Sequence, residues 1–99
     1  MKSVSIYKDN LFEGEKVLIT GGGSGIGFAI ARYFGNLGAE VIIAARDVER
    51  LETAAEQLSN HGIAVTTLEL NIRDENQVEA VFAELKANDN LPDIRVNNA

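Results

Sequence analysis

Blocks of apolar residues separated by short polar breaks run the length of the chain, and the period inside each block predicts an element. Lys16 opens a continuous apolar run, Val17-Leu18-Ile19-Thr20, of the kind expected for a parallel strand covered on both faces. From Ile26 the period changes. Ile26, Ile30 and Phe34, with Ala29, Tyr33 and Leu37, recur at helical spacing and predict one apolar helix face, ended by Gly38. Glu40-Val41-Ile42-Ile43-Ala44-Ala45 predicts a second strand. Val48, Leu51, Ala54, Ala55 and Leu58 predict a second amphipathic helix, capped by Asp47 and closed by Asn60-His61-Gly62. Ile63 to Leu70 reads as a third strand. Asp74 and Gln77 fit a capping box ahead of a third helix whose apolar face is Val78, Val81, Phe82 and Leu85. Asp89-Asn90-Leu91-Pro92 reads as a turn, and Asp93-Ile94-Arg95-Val96 begins a fourth strand.

Strands alternating with helices predict an α/β fold with a parallel sheet. With right-handed crossovers the four strands take the order 3-2-1-4, the first half of a doubly wound, Rossmann-type sheet plus one strand. Residues 1–99 then form an incomplete dinucleotide-binding domain, with 1–15 as a lead-in that is polar except for Ile6, Tyr7, Leu11 and Phe12 and that pins two apolar residues against the sheet edge. Arg95 conflicts with a central strand, because a buried guanidinium without a partner costs several kcal/mol. Either the fourth strand is an exposed edge or its sequence is locally abnormal.

Charge narrows the partners. A net charge of −6 provides no basic stripe for nucleic acid. The charges are scattered along helical segments, as on a solvated face. With no cysteine and a single histidine, His61, thiolate and histidine metal cages are excluded, and His61 reads as an exposed turn residue. No apolar stretch has the length of a signal peptide or membrane span, so a cytoplasmic protein is the expectation.

The chemistry concentrates between the first strand and the first helix, where five glycines fall within seven positions, Gly21 to Gly27. A dinucleotide pyrophosphate needs close backbone, free N–H donors and a helix N-terminus, and Gly21, Gly25 and Gly27 can supply positive φ where the chain turns. A Walker A loop is excluded because Phe28, not lysine, follows Gly27. The spacing G-x-G-x-x-G fails as well, since Phe28 stands where the third glycine belongs. What remains is Thr20-Gly21-x-x-x-Gly25-Ile26-Gly27, enclosing Gly22, Gly23 and Ser24.

Past the second strand, Glu40 has the spacing of an acidic ribose ligand but lies at the wrong end of the strand. At the useful end stand Ala45 and Arg46. There is no carboxylate to repel a 2′-phosphate, and a guanidinium is available to pair with one, so NADP is expected over NAD. The other use of Arg46 is a surface pair with Asp47 or Glu49.

The glycine pattern, Leu11-Phe12-Glu13-Gly14 before it, Ala45-Arg46 after the second strand and Val96-Asn97-Asn98-Ala99 at the far end together resemble the short-chain dehydrogenase/reductase family. Asn71-Ile72-Arg73-Asp74-Glu75 and Glu49-Arg50-Leu51 look more like its enoyl-CoA and dienoyl-CoA reductase branch than a sugar or steroid branch. The resemblance implies that Thr20, Gly21, Gly23, Ser24, Gly25, Ile26 and Gly27 hold the cofactor. It implies that Asn71, where the family commonly has Asp, accepts from the adenine amino group through its carbonyl. Ile72 would offer backbone and apolar surface to the adenine. Asn97 and Ala99 belong to a motif whose backbone passes the adenosine and whose first asparagine braces the central strand.

The family's hydride-transfer residues, an Asn, a Ser and a Tyr-x-x-x-Lys pair, would fall beyond Ala99. Tyr7 and Tyr33 are followed four residues later by Leu11 and Leu37, so both read as packing residues and no catalytic residue is assigned. Three readings follow. The chain is the NADP(H)-binding portion of a family oxidoreductase, completed by a C-terminal segment; or it is a catalytically silent nucleotide-binding or interaction module that pairs through its sheet edge, with a homo-oligomer as one outcome; or it is a truncated, non-functional product.

Overall fold

The computed structural model describes residues 11–21, 23 and 25–98. The expectations for Ile6, Tyr7, Gly22, Ser24 and Ala99 lie outside them. The elements are β1 (Lys16–Thr20), α1 (Gly25–Asn36), β2 (Glu40–Ala45), α2 (Val48–Asn60), β3 (Val65–Glu69), α3 (Glu75–Ala87) and β4 (Ile94–Asn97). All strand pairs are parallel and the order is β3-β2-β1-β4, as the alternation predicts.

Two apolar layers hold the sheet. On one face Val17, Ile19, Val41 and Ile43 pack with Ala31 of α1 and with Leu51, Ala54 and Leu58 of α2. On the other, Leu18, Ile42, Ala44 and Leu70 meet Val78, Val81 and Phe82 of α3. Strand alternation explains the division, since successive side chains leave opposite faces. With α1 and α2 on one face and α3 on the other, the direction of winding reverses at β1. That reversal places a crevice beyond the carboxyl ends of the strands.

The face of α1 matches the expected one in part. Ile30 and Phe34 pack against the core and Leu37 is buried, whereas Ala29 is exposed and Ile26 and Tyr33 remain 69% and 59% exposed. Small residues complete the contact stripe, with Gly27 and Ala31 buried. A Cβ on Gly27 would lie 2.1 Å from the Gly21 carbonyl oxygen, and one on Gly35 would lie 2.5 Å from Ile63. Close backbone approach at these positions therefore rotates the buried side away from Ile26 and Tyr33. Phe12 lies edge-on to Phe34 at 5.0 Å and donates its N–H to the Leu37 carbonyl at 2.8 Å, so one residue of the lead-in is pinned as expected, while Leu11 is exposed.

Helix ends follow one recipe with one departure. Gly38 and Gly62, at φ +96° and +78°, end α1 and α2, with Ala39 N–H bonded to Phe34 O and Ile63 N–H to Leu58 O. The end of α3 has the same bond, Asn90 N–H to Leu85 O at 2.7 Å, but Asp89 holds the left-handed position at φ +57°. Lys16 steadies this turn by donating from Nζ to Asn90 Oδ1 at 2.8 Å, while its backbone N–H donates to Asp93 Oδ2 at 2.8 Å.

Arg95 is resolved in favour of the exposed edge. β4 is the outer strand beside β1, and Arg95 is exposed with its guanidinium 5.1 Å above the Phe82 ring. The cation thus keeps its water and covers an aromatic face.

Candidate functional site

Three parallel strands converge on the glycine turn. Gly21 leaves β1 at φ +72°, donating its N–H to Ala44 O at 2.7 Å. A Cβ there would lie 2.3 Å from the Asn98 carbonyl oxygen, so both conformation and space require glycine. Gly25 and Gly27 are not at positive φ. They form the first turn of α1, and the sharp turn is made at Gly21. Gly27 is glycine because α1 passes against the Gly21 carbonyl. Among the described residues, apart from its own helix backbone and chain neighbours, none comes within 4 Å of where a Gly25 Cβ would sit.

An open cleft of about 390 Å³ lies at the carboxyl ends of β1, β2 and β3. It gathers six of the expected residues: Thr20, Gly21, Gly23, Arg46, Asn71 and Ile72. Gly23 and Arg50 separate it from a second cleft of about 450 Å³ that Gly25, Phe28 and Thr53 also line. Ile26 lies outside both clefts, exposed on α1. Asn97 stands at the end of β4, opposite Thr20 in the register.

Thr20, 1% exposed, ties this region together. Its hydroxyl donates to Val96 O at 3.3 Å and accepts from Asn98 N–H at 3.1 Å. The brace between β1 and β4 expected of the Asn97 side chain is made here by Thr20, while Asn97 Oδ1 accepts from Arg95 Nε at 3.1 Å.

On the β2 side Arg46 is exposed at the cleft, and the surface pair with Asp47 or Glu49 is not formed. Among the described residues the ion pair is Arg50 Nε to Asp47 Oδ2, at 3.6 Å. Asp47 does line the cleft, which corrects the expectation of no carboxylate there. Its Oδ1 accepts from Arg50 N–H at 3.2 Å and caps α2, so its charge is already engaged.

On the β3 side, Asn71 Oδ1 accepts from Arg73 N–H at 3.1 Å, and Asn71 N–H donates to Gln77 Oε1. The expected capping box is therefore half made. Asp74 Oδ1 accepts from Gln77 N–H at 3.2 Å, but the Gln77 side chain reaches Asn71, and Asp74 N–H bonds Asn71 O at 3.0 Å. Arg50 and Arg73 line the cleft without having been singled out from the sequence. The available signals were positional: Arg50 lies three residues past the Asp47 cap, in the first turn of α2, and Arg73 two past Asn71, in the turn after β3, both near the carboxyl ends of the strands.

Among the described residues no helix is long and apolar enough to cross a membrane. A family model described as short chain dehydrogenase matches residues 15–99. A probable 2,4-dienoyl-CoA reductase of Caenorhabditis elegans is 43% identical over 95% of this chain, and a peroxisomal 2,4-dienoyl-CoA reductase of Danio rerio is 34% identical over 99%. Among solved structures, L-sorbose reductase of Gluconobacter frateurii, complexed with NADPH and L-sorbose, superposes with a TM-score of 0.82 at 37% identity, covering 92% of this chain. These matches cover 31%, 33% and 35% of the respective proteins, so the chain spans about a third of their length. The glycine turn, the strand order and these relatives agree: the chain belongs to the short-chain dehydrogenase family of NAD(P)-dependent oxidoreductases, and corresponds to its N-terminal, dinucleotide-binding part.

Proposed function

We propose that residues 1–99 are the NADP(H)-binding portion of a short-chain dehydrogenase-type oxidoreductase, forming the adenosine and pyrophosphate side of an incomplete Rossmann domain. The observation that carries the choice of NADP is Arg46. It stands exposed at the carboxyl end of β2 with no carboxylate paired to it among the described residues, while the acid that lines the same cleft, Asp47, is held by Arg50.

The residues fit a dinucleotide. Gly25 opens α1 with free space where a side chain would stand, and the first turn of α1 carries no acidic side chain. A pyrophosphate there would meet backbone N–H groups and the positive end of the helix dipole. Thr20, Gly21, Gly23, Ile26 and Gly27 shape that turn, with Ser24 between them in sequence. Asn71 and Ile72 face adenine, with Asn97 and Ala99 completing the adenosine wall. Since the Asn71 carbonyl already accepts from Arg73, its second lone pair would serve the adenine amino group.

The bound dinucleotide supplies or accepts the hydride. The proton-transferring tyrosine and lysine would come from a segment that joins the sheet at β4. Dienoyl-CoA or enoyl-CoA reduction is the reaction class this reading assigns to the whole protein, on the strength of the worm and zebrafish relatives. It places the protein in the cytoplasm, which imaging of a tagged chain checks against the peroxisomal location in the zebrafish relative's name.

The test is titration of the chain with NADPH and with NADH. NADPH should bind more tightly, and Arg46→Ala should reduce that preference by roughly three- to tenfold, the range for a lost charge-assisted hydrogen bond at a partly exposed site. Equal affinity for both cofactors would contradict the assignment.

A further inference from the structure

We infer that Arg73 is a second specificity determinant for the 2′-phosphate, and that the neutral Asn71 keeps it available for that task. The inference rests on the NADP reading above and concerns residues beyond Arg46.

The chain carries a net charge of −6, yet its cleft presents three guanidiniums, Arg46, Arg50 and Arg73, against one carboxylate, Asp47. That carboxylate is committed to Arg50. Arg46 and Arg73 are left, both exposed, both at the cleft, with no ion pair to either among the described residues. They come from adjacent strands. β2 and β3 are paired at Ala45 and Glu69, and Leu70 N–H donates to Ala45 O at 2.9 Å, so the turns carrying Arg46 and Arg73 leave the sheet side by side. Two cations on neighbouring turns suit a dianionic phosphate better than one, because each supplies donors that the other cannot reach.

Asn71 decides whether Arg73 stays free. Its Oδ1 holds the Arg73 backbone N–H at 3.1 Å, and Gln77 Oε1 holds Asn71 N–H, so the loop is fixed without a charge. An aspartate in the same place would accept the same N–H bond but add a carboxylate next to Arg73 and the phosphate site. The guanidinium would then have an internal partner, and the ligand phosphate a repulsive neighbour.

The test uses adenosine 2′,5′-bisphosphate and adenosine 5′-monophosphate as probes, titrated into the chain and into Arg73→Gln, Asn71→Asp and Arg46→Gln. Circular dichroism confirms that each variant is folded, and Asn71→Asp, nearly isosteric, preserves the turn. Arg73→Gln should weaken the bisphosphate by roughly three- to tenfold while moving the monophosphate less than about twofold, and Asn71→Asp, whatever it does to the shared adenine contact, should lower the ratio of bisphosphate to monophosphate affinity by roughly three- to tenfold. If both variants leave the ratio of affinities unchanged while Arg46→Gln removes it, Arg73 has no such role and the NADP reading stands. Equal weakening of both probes by Arg73→Gln would make it a general anion contact and overturn the inference. If the unmodified chain binds both probes equally, the NADP reading itself fails, and the inference with it.

Discussion

Thr20 shows how much one hydroxyl can organise. It is buried at the end of β1, where it donates to Val96 O and accepts from Asn98 N–H, and Asn98 in turn closes over Gly21. Replacing it with valine keeps the shape and removes both bonds. The half-buried Val96 carbonyl and Asn98 N–H then lose this hydroxyl partner, at a cost of about 1 kcal/mol. Thr20→Val should therefore lower thermal stability and loosen the β1–β4 junction, read as faster hydrogen exchange at Asn98. Unchanged exchange there would show that the hydroxyl is dispensable. Gly25 and Gly27 make a complementary pair. Gly27 is required by the protein's own backbone, whereas, among the described residues, none outside Gly25's own helix and chain neighbours fills the space beside it.

Among the elements, α3 departs most from the common recipe. Its closing turn puts Asp89 at φ +57°, where α1 and α2 have glycine. The left-handed conformation costs a side-chain-bearing residue roughly 1–2 kcal/mol, more than the roughly 0.5–1 kcal/mol of unfolded-state entropy that glycine adds. Asp89→Gly should raise the Tm by roughly 2–6 °C. A lower Tm would mean that the Asp89 side chain contributes something the backbone geometry does not reveal. The strands and helix ends were legible in the sequence because they rest on local signals: continuous apolar runs, Asp47 and Asp74 as caps, and Gly38 and Gly62 as stops. The buried side of α1 was legible only in part. Ile30, Phe34 and Leu37 carry the period and pack as expected, but Gly27, Ala31 and Gly35 bring the backbone close and leave Ile26 and Tyr33 outside, and small residues add nothing to an apolar pattern. The left-handed Asp89 was hidden for a related reason, since only the chain's path after Ala87 imposes it. Within the cleft, Arg46 could be read from its place at the end of β2, and Asn71 and Ile72 only through the family resemblance. Arg50 and Arg73 could not, because an arginine on an exposed turn looks the same whether it faces solvent or a cleft.

For the molecule as a whole, the notable feature is a cationic cleft in an acidic chain. Scattered negative charge opposes the approach of an anionic ligand at long range, and the guanidiniums attract it once it is near. Salt screens both effects, and on the NADP reading the short-range attraction to a 2′-phosphate would dominate the equilibrium. The affinity for NADPH should thus fall by a few-fold between about 0.05 M and 0.5 M salt, and more steeply than that for NADH. Parallel salt curves for the two cofactors would place the cations outside the binding energetics.

On the proposed function, the glycine turn between β1 and α1 serves as a ligand cradle rather than as a structural turn alone. The most direct measurement is a calorimetric titration of NADPH into the chain and into Gly25→Val, with a thermal melt of each. Among the described residues none outside its own helix and chain neighbours fills the space beside Gly25, so the variant should melt within a few degrees of the parent. It should nevertheless lose NADPH binding, while the parent shows saturable binding at one site. A folded parent that takes up no cofactor, or a Gly25→Val variant that binds as well as the parent, would contradict the account.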